Sequence, residues 1–174
     1  MALGDAAADE ATFQARHANY SDELIRGLLR QVKTIAMVGA SANWNRPSYF
    51  AMKYLQDKGY RLLPVNPREA GNTILGEVVH AGLRDISEPV DMVDCFRASE
   101  AIEAIAADAI AIGAKVLWLQ LGVRNDAAAR RAEAAGLTVI MNRCPKIEYG
   151  RLSGEITWMG VATKVISSKR QRKV

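Results

Sequence analysis

The residues best equipped for chemistry sit just beyond apolar runs. They are Gly39, Ala40 and Ser41 leading to Arg46, Pro47 and Ser48; Asn66, Pro67 and Arg68; Phe96 and Arg97; Gln120, Leu121, Gly122 and Val123; and Asn142, Arg143 and Cys144. No carboxylate or histidine falls among them: the nearest acids are Glu69, Asp126 and Glu148, and the two histidines are His17 and His80. What they offer is hydrogen-bond donors and positive charge, from Ser41, Arg46, Ser48, Arg68, Arg97, Arg143 and Lys146. An arginine fork grips a phosphate through two parallel bonds. A helix beginning after the first group adds backbone N–H donors and a partial positive charge. The chemistry on offer is the binding of a multiply phosphorylated ligand, with no catalytic constellation beside it.

The segment TIAMVGASANWNRPSYFAMKYLQDKGYRLLPVNP narrows that ligand. It has the outline of a nucleotide-binding strand–helix–strand unit, but Gly39 is the only glycine of its first loop. A site for NAD also wants an acid at the end of the second strand, to accept from the ribose hydroxyls. Here that place reads Val65-Asn66-Pro67-Arg68. An arginine there suits an extra ribose phosphate, as in NADP or coenzyme A.

These loops need strands and helices to position them. Strand-like runs are expected at Thr34–Val38, Tyr60–Val65, Asp91–Phe96, Lys115–Leu119 and Leu137–Met141, with a weaker one near Ile74–Val79. Most are apolar on both faces, as strands covered by helices on both sides must be. Between them lie helical patterns. Pro47 opens one and Gly59 ends it; Ser99 is expected to cap the next, which Gly113 stops; Asn125 caps an alanine-rich one that Gly136 ends. A further helical stretch is expected over residues 8–32, within which Ser21 and Asp22 offer caps. Such alternation implies an α/β fold, a Rossmann-like three-layer sandwich on a mostly parallel sheet of five to six strands.

With 174 residues, 49% apolar and 24% charged, the chain suits one soluble domain. No run of eighteen apolar residues is present, so no membrane span is expected. The N-terminal stretch lacks the pattern of a secretory signal, and Cys95 and Cys144 match no metal or disulfide spacing, which makes a reducing cytoplasm the expected compartment. The net charge of +4 equals the four cations of the tail SSKRQRKV, so the rest is balanced and a nucleic-acid partner is not expected. The expected organisation is a helical extension over 1–33, a binding domain over 34–155, and a C-terminal segment over 156–174 with a basic tail.

The pieces IAMVGAS, RPSYFAMKYLQDKGYRLLPVNP, LGE, PVDMVDCFR, AIAIGAKVLWLQLGV and AEAAGLTVIMNRCPKIEYGRL together resemble the small single-domain CoA-binding proteins. The fold of that family is like the CoA-binding domain of the succinyl-CoA synthetase α subunit. The likeness spans roughly residues 20–155. It implies that Gly39, Ala40, Ser41, Arg46, Pro47 and Ser48 hold the CoA phosphates and that Asn66, Pro67 and Arg68 flank the adenosine and its 3′-phosphate. It also implies that Phe96 and Arg97 line the middle of the site, while Gln120, Leu121, Gly122 and Val123 run beside the pantetheine arm. The chain departs from the family at Ala40, often Leu; at Asn142, often Asp; and at Tyr149, where the family often carries His. No ligase domain and no phosphorylated-histidine motif accompany it, so the resemblance implies CoA or acyl-CoA binding and not synthetase activity.

Alternatives stay open beside it: an NADP-dependent oxidoreductase, an enzyme handling CoA thioesters, or a CoA-sensing module with a protein partner or a second copy of itself. Cys144, before Pro145, lies where a thiol-ended arm reaches. Its two readings are a reactive thiolate beside Arg143 and Lys146, and a buried inert thiol. Cys95 and Trp118 read as core, His80 as a surface residue, and Trp44 as an adenine shield or an interface residue.

Overall fold

A computed structural model describes residues 3–154, with side chains from residue 8 onward; the C-terminal segment and its basic tail lie outside the described residues. In chain order the elements are α1 (Leu3–Ala18), α2 (Asp22–Gln31), β1 (Thr34–Val38), α3 (Pro47–Asp57), β2 (Arg61–Val65), β3 (Thr73–Ile74), β4 (Glu77–Val78), β5 (Met92–Cys95), α4 (Ile102–Ala111), β6 (Val116–Leu119), α5 (Asp126–Ala134), β7 (Thr138–Ile140) and α6 (Pro145–Leu152). Five strands form one sheet in the order β2-β1-β5-β6-β7, and every pair in it is parallel.

Alternation along each strand divides the core between the two faces of the sheet. Ile35, Met37, Met92, Val116 and Trp118 pack under α2, α3 and α6, with Leu28, Met52 and Leu55 as partners. Ala36, Val93, Leu117 and Leu119 meet the other layer, where Phe13 of α1 joins the alanines of α4 and α5. Small residues at Ala106, Ala109, Ala128 and Ala132, all fully buried, let those two helices lie close to the sheet and to each other. Each large apolar side chain removed from water contributes roughly 1.5–3 kcal/mol.

The expected helix over 8–32 is two helices. The chain leaves α1 at Ala18 and re-enters at Asp22, where the Ser21 side chain accepts the N–H of Leu24 as an N-cap. Besides this local cap, which the sequence offers, the break is held by tertiary contacts. Tyr20 Oη accepts the N–H of Met141 at 2.8 Å, which leaves its own O–H to donate to His17 Nδ1 at 2.7 Å. His17 Nε2 then donates to Glu133 Oε1 at 3.0 Å. This buried relay ties α1 and the inter-helix turn to α5 and the end of β7.

Two further expectations change. The weak strand near Ile74–Val79 is a separate antiparallel hairpin, β3 with β4. Leu75 and Gly76 form its turn with φ of 49° and 85°, the left-handed pair that a two-residue hairpin requires. The chain beyond it still lies on the sheet edge, since His80 N donates to Pro64 O at 2.9 Å and Asn66 N to His80 O at 2.9 Å. Ser99 does not cap α4. It opens a short 3-10 turn, Ser99–Ala101, and its Oγ accepts the N–H of Arg124 instead. Asn125 does cap α5, accepting from Ala128 N at 3.0 Å.

Candidate functional site

Strand order reverses between β1 and β5, because β2 lies on one side of β1 and every later strand of the sheet lies on the other. In open α/β sheets a crevice opens at such a point, outside the carboxyl ends of the strands. Gly39 makes the two edges meet there. Its φ is 85°, and a Cβ at this position would stand 2.4 Å from the Phe96 carbonyl oxygen and 3.0 Å from Arg97 Cδ. Glycine is thus required both by backbone conformation and by close approach. Gly39 N also donates to Val65 O at 2.9 Å, so the ends of β1, β2 and β5 are locked side by side.

Asn66 fastens two of the loops. Its Nδ2 donates to Ala40 O at 2.8 Å, and its Oδ1 accepts from Arg68 N at 3.0 Å in a tight turn. Within the first loop, Ala42 N donates to Glu69 Oε2 at 3.0 Å, Asn43 N to Ser41 Oγ at 3.2 Å and Asn45 N to Asn43 Oδ1 at 2.9 Å. Glu69, named from the sequence as one of the nearest acids outside the set, therefore does reach the first loop. Glu69 there accepts a backbone N–H and so shapes the loop.

Above this frame stand three arginines from three adjacent strand ends: Arg46 after β1, Arg68 after β2 and Arg97 after β5. All three are exposed, and among the described residues none of their side chains makes an ion pair. The helix that begins at Pro47 has Arg46 as its N-cap residue with no side-chain cap bond; Pro47 has no N–H and Tyr49 N donates to Arg46 O at 3.0 Å, so Ser48 supplies the N–H left open in the first turn. Ser48 is buried in the first turn at 4% exposure. Trp44 is 65% exposed on the same loop.

The other flank of the crevice is the loop after β6. Asn142, at a φ of 55°, accepts the Gly122 N–H on its Oδ1 at 2.7 Å and donates its own N–H to Val123 O at 3.3 Å. The position where the family often carries Asp is thus a brace for the Gln120–Val123 loop, in which Leu121 is exposed. Arg143 is engaged elsewhere. Its carbonyl accepts the Trp118 indole N–H at 2.9 Å, and its Nε lies 3.6 Å from Glu148 Oε1, a carboxylate that also pairs with Arg151. Lys146 lies over the Tyr54 ring.

Beneath the crevice lies a residue that the loop-by-loop reading passes over. Asp94 in β5 is completely buried and shares its face with Met92, toward α3 and α6. Its Oδ1 accepts from Gln120 Nε2 at 2.7 Å, while Oδ2 has no partner. Burial pushes its carboxyl up to about 7, opposed by the Gln120 bond. The signal in the sequence is an acid inside a strand otherwise apolar on both faces. Cys144, just before α6, feels the same surroundings. Burial pushes its thiol up to about 11, the Asp94 carboxylate adds to that, and the N–H groups of Ile147 and Lys146 oppose it. Of the two readings of Cys144, its burial favours the inert thiol over the reactive thiolate, because low dielectric outweighs the nearby positive groups. Cys95 is fully buried in the core, as expected.

The fold therefore gathers Gly39, Ala40, Ser41, Arg46, Pro47, Ser48, Asn66, Pro67, Arg68, Phe96 and Arg97 around one reversal point, with Gln120, Leu121, Gly122 and Val123 on the next strand end. Ala40 and Asn66 serve the frame; the arginines face outward.

Comparison with known proteins agrees with this frame. The family described as CoA binding domain matches residues 33–150. YneT, an uncharacterized protein of Bacillus subtilis (strain 168), is 36% identical over 131 residues, 75% of this chain and 96% of that protein. A solved structure from Thermus thermophilus is 38% identical with a TM-score of 0.74, covering 76% of this chain and 99% of its own. A hypothetical protein from Pyrococcus horikoshii OT3 is also 38% identical with a TM-score of 0.74, over 78% of this chain and 94% of its own.

Proposed function

This chain belongs to the CoA-binding domain family, and from that premise we propose that it binds coenzyme A or an acyl-CoA in the crevice where β1 and β5 part. One observation carries the reading: Arg46, Arg68 and Arg97 stand exposed at three neighbouring strand ends, without ion pairs among the described residues. Three cations held near one another invite a ligand with several phosphates, and each charge-assisted bond is worth roughly 1.5–3 kcal/mol.

In this reading Gly39, Ala40, Ser41, Arg46, Pro47 and Ser48 cradle the pyrophosphate, aided by the Ser48 N–H at the start of α3. Asn66 and Pro67 border the adenosine, and Arg68 takes the 3′-phosphate. Phe96 and Arg97 line the middle, and Gln120, Leu121, Gly122 and Val123 guide the pantetheine arm toward Cys144. The neutral Cys144 thiol acts as a packing contact for the end of that arm. Of the carboxylates near the crevice, Glu69 is spent on a backbone N–H and Asp94 is enclosed, which favours a binding role without acid–base catalysis by this chain.

Titration calorimetry with CoA, acetyl-CoA and dephospho-CoA tests the reading. Expected are binding of the first two and a loss of about tenfold or more on removing the 3′-phosphate, one charge-assisted contact's worth. Absence of binding by all three overturns it. Binding of NADPH that CoA fails to displace turns the assignment toward an NADP-dependent enzyme.

A further inference from the structure

The acid beneath the crevice has an oxygen with no partner, and its single bond leads to the ligand side. Gln120 sits at the carboxyl end of β6, 7% exposed, at the head of the loop assigned to the ligand arm. Its Nε2 is held by Asp94 Oδ1 at 2.7 Å. An amide so held has a fixed sense, since Nε2 only donates and Oε1 only accepts.

We propose that Asp94 is a positioning residue for the ligand arm: it orients the Gln120 amide, and the proton that the oxygen facing Gln120, Oδ1, gains or loses decides whether Gln120 shows the arm an acceptor or a donor. The inference rests on the CoA reading and deepens it to a choice between a thiol and a thioester. When Asp94 is ionised both its oxygens accept, so Gln120 turns Nε2 toward it and presents Oε1 outward. An outward acceptor suits an S–H donor at the end of the arm. When Asp94 is protonated, its O–H donates to Gln120 Oε1, the amide turns over, and the NH2 group faces the arm. An outward donor suits a thioester carbonyl.

The surroundings let this happen near neutral pH. Asp94 stands beside Met37 of β1 and Trp118 of β6 in the sheet register, both buried and apolar. Its ionisable neighbours are thiols, Cys95 on its own strand and Cys144 before α6, each of which is raised in part by the Asp94 charge; Lys146 on α6 acts on Cys144. Burial is the chief influence on the carboxyl and places its proton loss at about pH 7, with the Gln120 amide opposing.

The test is the ratio of CoA to acetyl-CoA affinity between about pH 6 and 8, measured by calorimetry on the full chain. Titration of the ligands' own phosphates, whose second ionisation lies near 6, cancels in the ratio. Adenosine 3′,5′-bisphosphate, which lacks the arm, reports the phosphate site and the integrity of each variant. Expected for the native chain is a preference moving about fivefold from acetyl-CoA toward CoA as pH rises through 7, the size of one modest hydrogen bond. Asp94→Asn removes the titrating proton, so its ratio should be flat. Gln120→Leu, which keeps the acid and removes the amide, should also be flat. A native ratio that does not move with pH, or an Asp94→Asn variant that keeps the native profile, overturns the inference while leaving CoA binding intact. Failure of CoA and of the bisphosphate to bind the native chain overturns the CoA reading itself and this inference with it.

Discussion

The two ends of the sheet are built from the same residue types and use them oppositely. At the amino end the charges are closed upon each other. Asp91, just before β5, accepts the backbone N–H groups of Lys33 and Thr34 at 2.9 and 3.1 Å and pairs with Lys115 Nζ at 2.7 Å. Burial would push the Asp91 carboxyl up, and these three donors more than offset that, holding it below its ordinary value. Arg61 at the start of β2 pairs with Glu77 and Glu88. The helical layer over β7 is closed in the same manner, with Arg130 on Asp9 and Glu10 and Arg131 on Glu103. At the carboxyl end Arg46, Arg68 and Arg97 have no such partners among the described residues, and a buried carboxylate oxygen goes unbonded. Charges paired within the chain hold the fold; the unpaired ones are those the CoA reading assigns to the ligand.

This contrast can be broken in measurable ways. The largest expected effect is a pH effect at Asp94. A carboxyl whose native-state value is raised to about 7, from about 4 when unfolded, supports the fold fully below pH 4 and loses that support as pH rises through 7. The loss approaches roughly 4 kcal/mol at most, at about 1.36 kcal/mol for each pH unit between the folded and unfolded values. The difference in urea stability between the native chain and Asp94→Asn, measured from about pH 4 to 8, should therefore carry a slope of that sign. A flat difference would show that the carboxyl is not held neutral by burial.

Next comes Gly39→Ala. A methyl 2.4 Å from the Phe96 carbonyl oxygen, at a φ that alanine resists, should cost about 3 kcal/mol and weaken ligand binding as β1 and β5 move apart. A melting temperature within a degree of the native value would contradict the close approach. At the closed end, Asp91→Ala strips partners from two backbone N–H groups and an ammonium. It should lower stability by about 2 kcal/mol while leaving CoA affinity unchanged. A matching loss of affinity would mean the two ends are not separate in purpose.

The smallest effect on stability belongs to the open end. Arg68→Ala or Arg97→Ala should change unfolding by less than about 0.5 kcal/mol, as exposed unpaired side chains do. Each should still weaken CoA binding about tenfold. Stability loss without affinity loss would reverse the assignment of that end.

Much of the frame was legible because it is written in short-range pattern. Thr34–Val38 is a strand to the residue, Pro47 and Gly59 bracket α3, and Asn125 caps α5, since apolar periodicity and turn chemistry act within a few positions. The break at 19–21 has a local sign in the Ser21 cap, but the hydrogen bond from Met141 to Tyr20 that holds it there comes from far along the chain. Ser99 looked like a cap for the same reason: nothing local announces that its hydroxyl accepts from Arg124. The family likeness gathered the loop residues onto one sheet edge, but it did not single out Asp94, whose meaning depends on burial and on Gln120.

The sequence by itself determined the five strands of the sheet and the helices α3, α4 and α5 between them, the donor-rich and acid-poor character of the strand ends, and the family. These follow from residue type and near-neighbour spacing, which fix the local backbone and the face each side chain takes. Only the tertiary structure decided which side chains meet. It set Asn66 against Ala40, Asn142 against Gly122 and Asp94 against Gln120, left three arginines unpaired among the described residues, and buried the Cys144 thiol, which pushes its pKa up. Those outcomes depend on low dielectric and on pairings between distant segments, and both come into being only when the strands lie side by side.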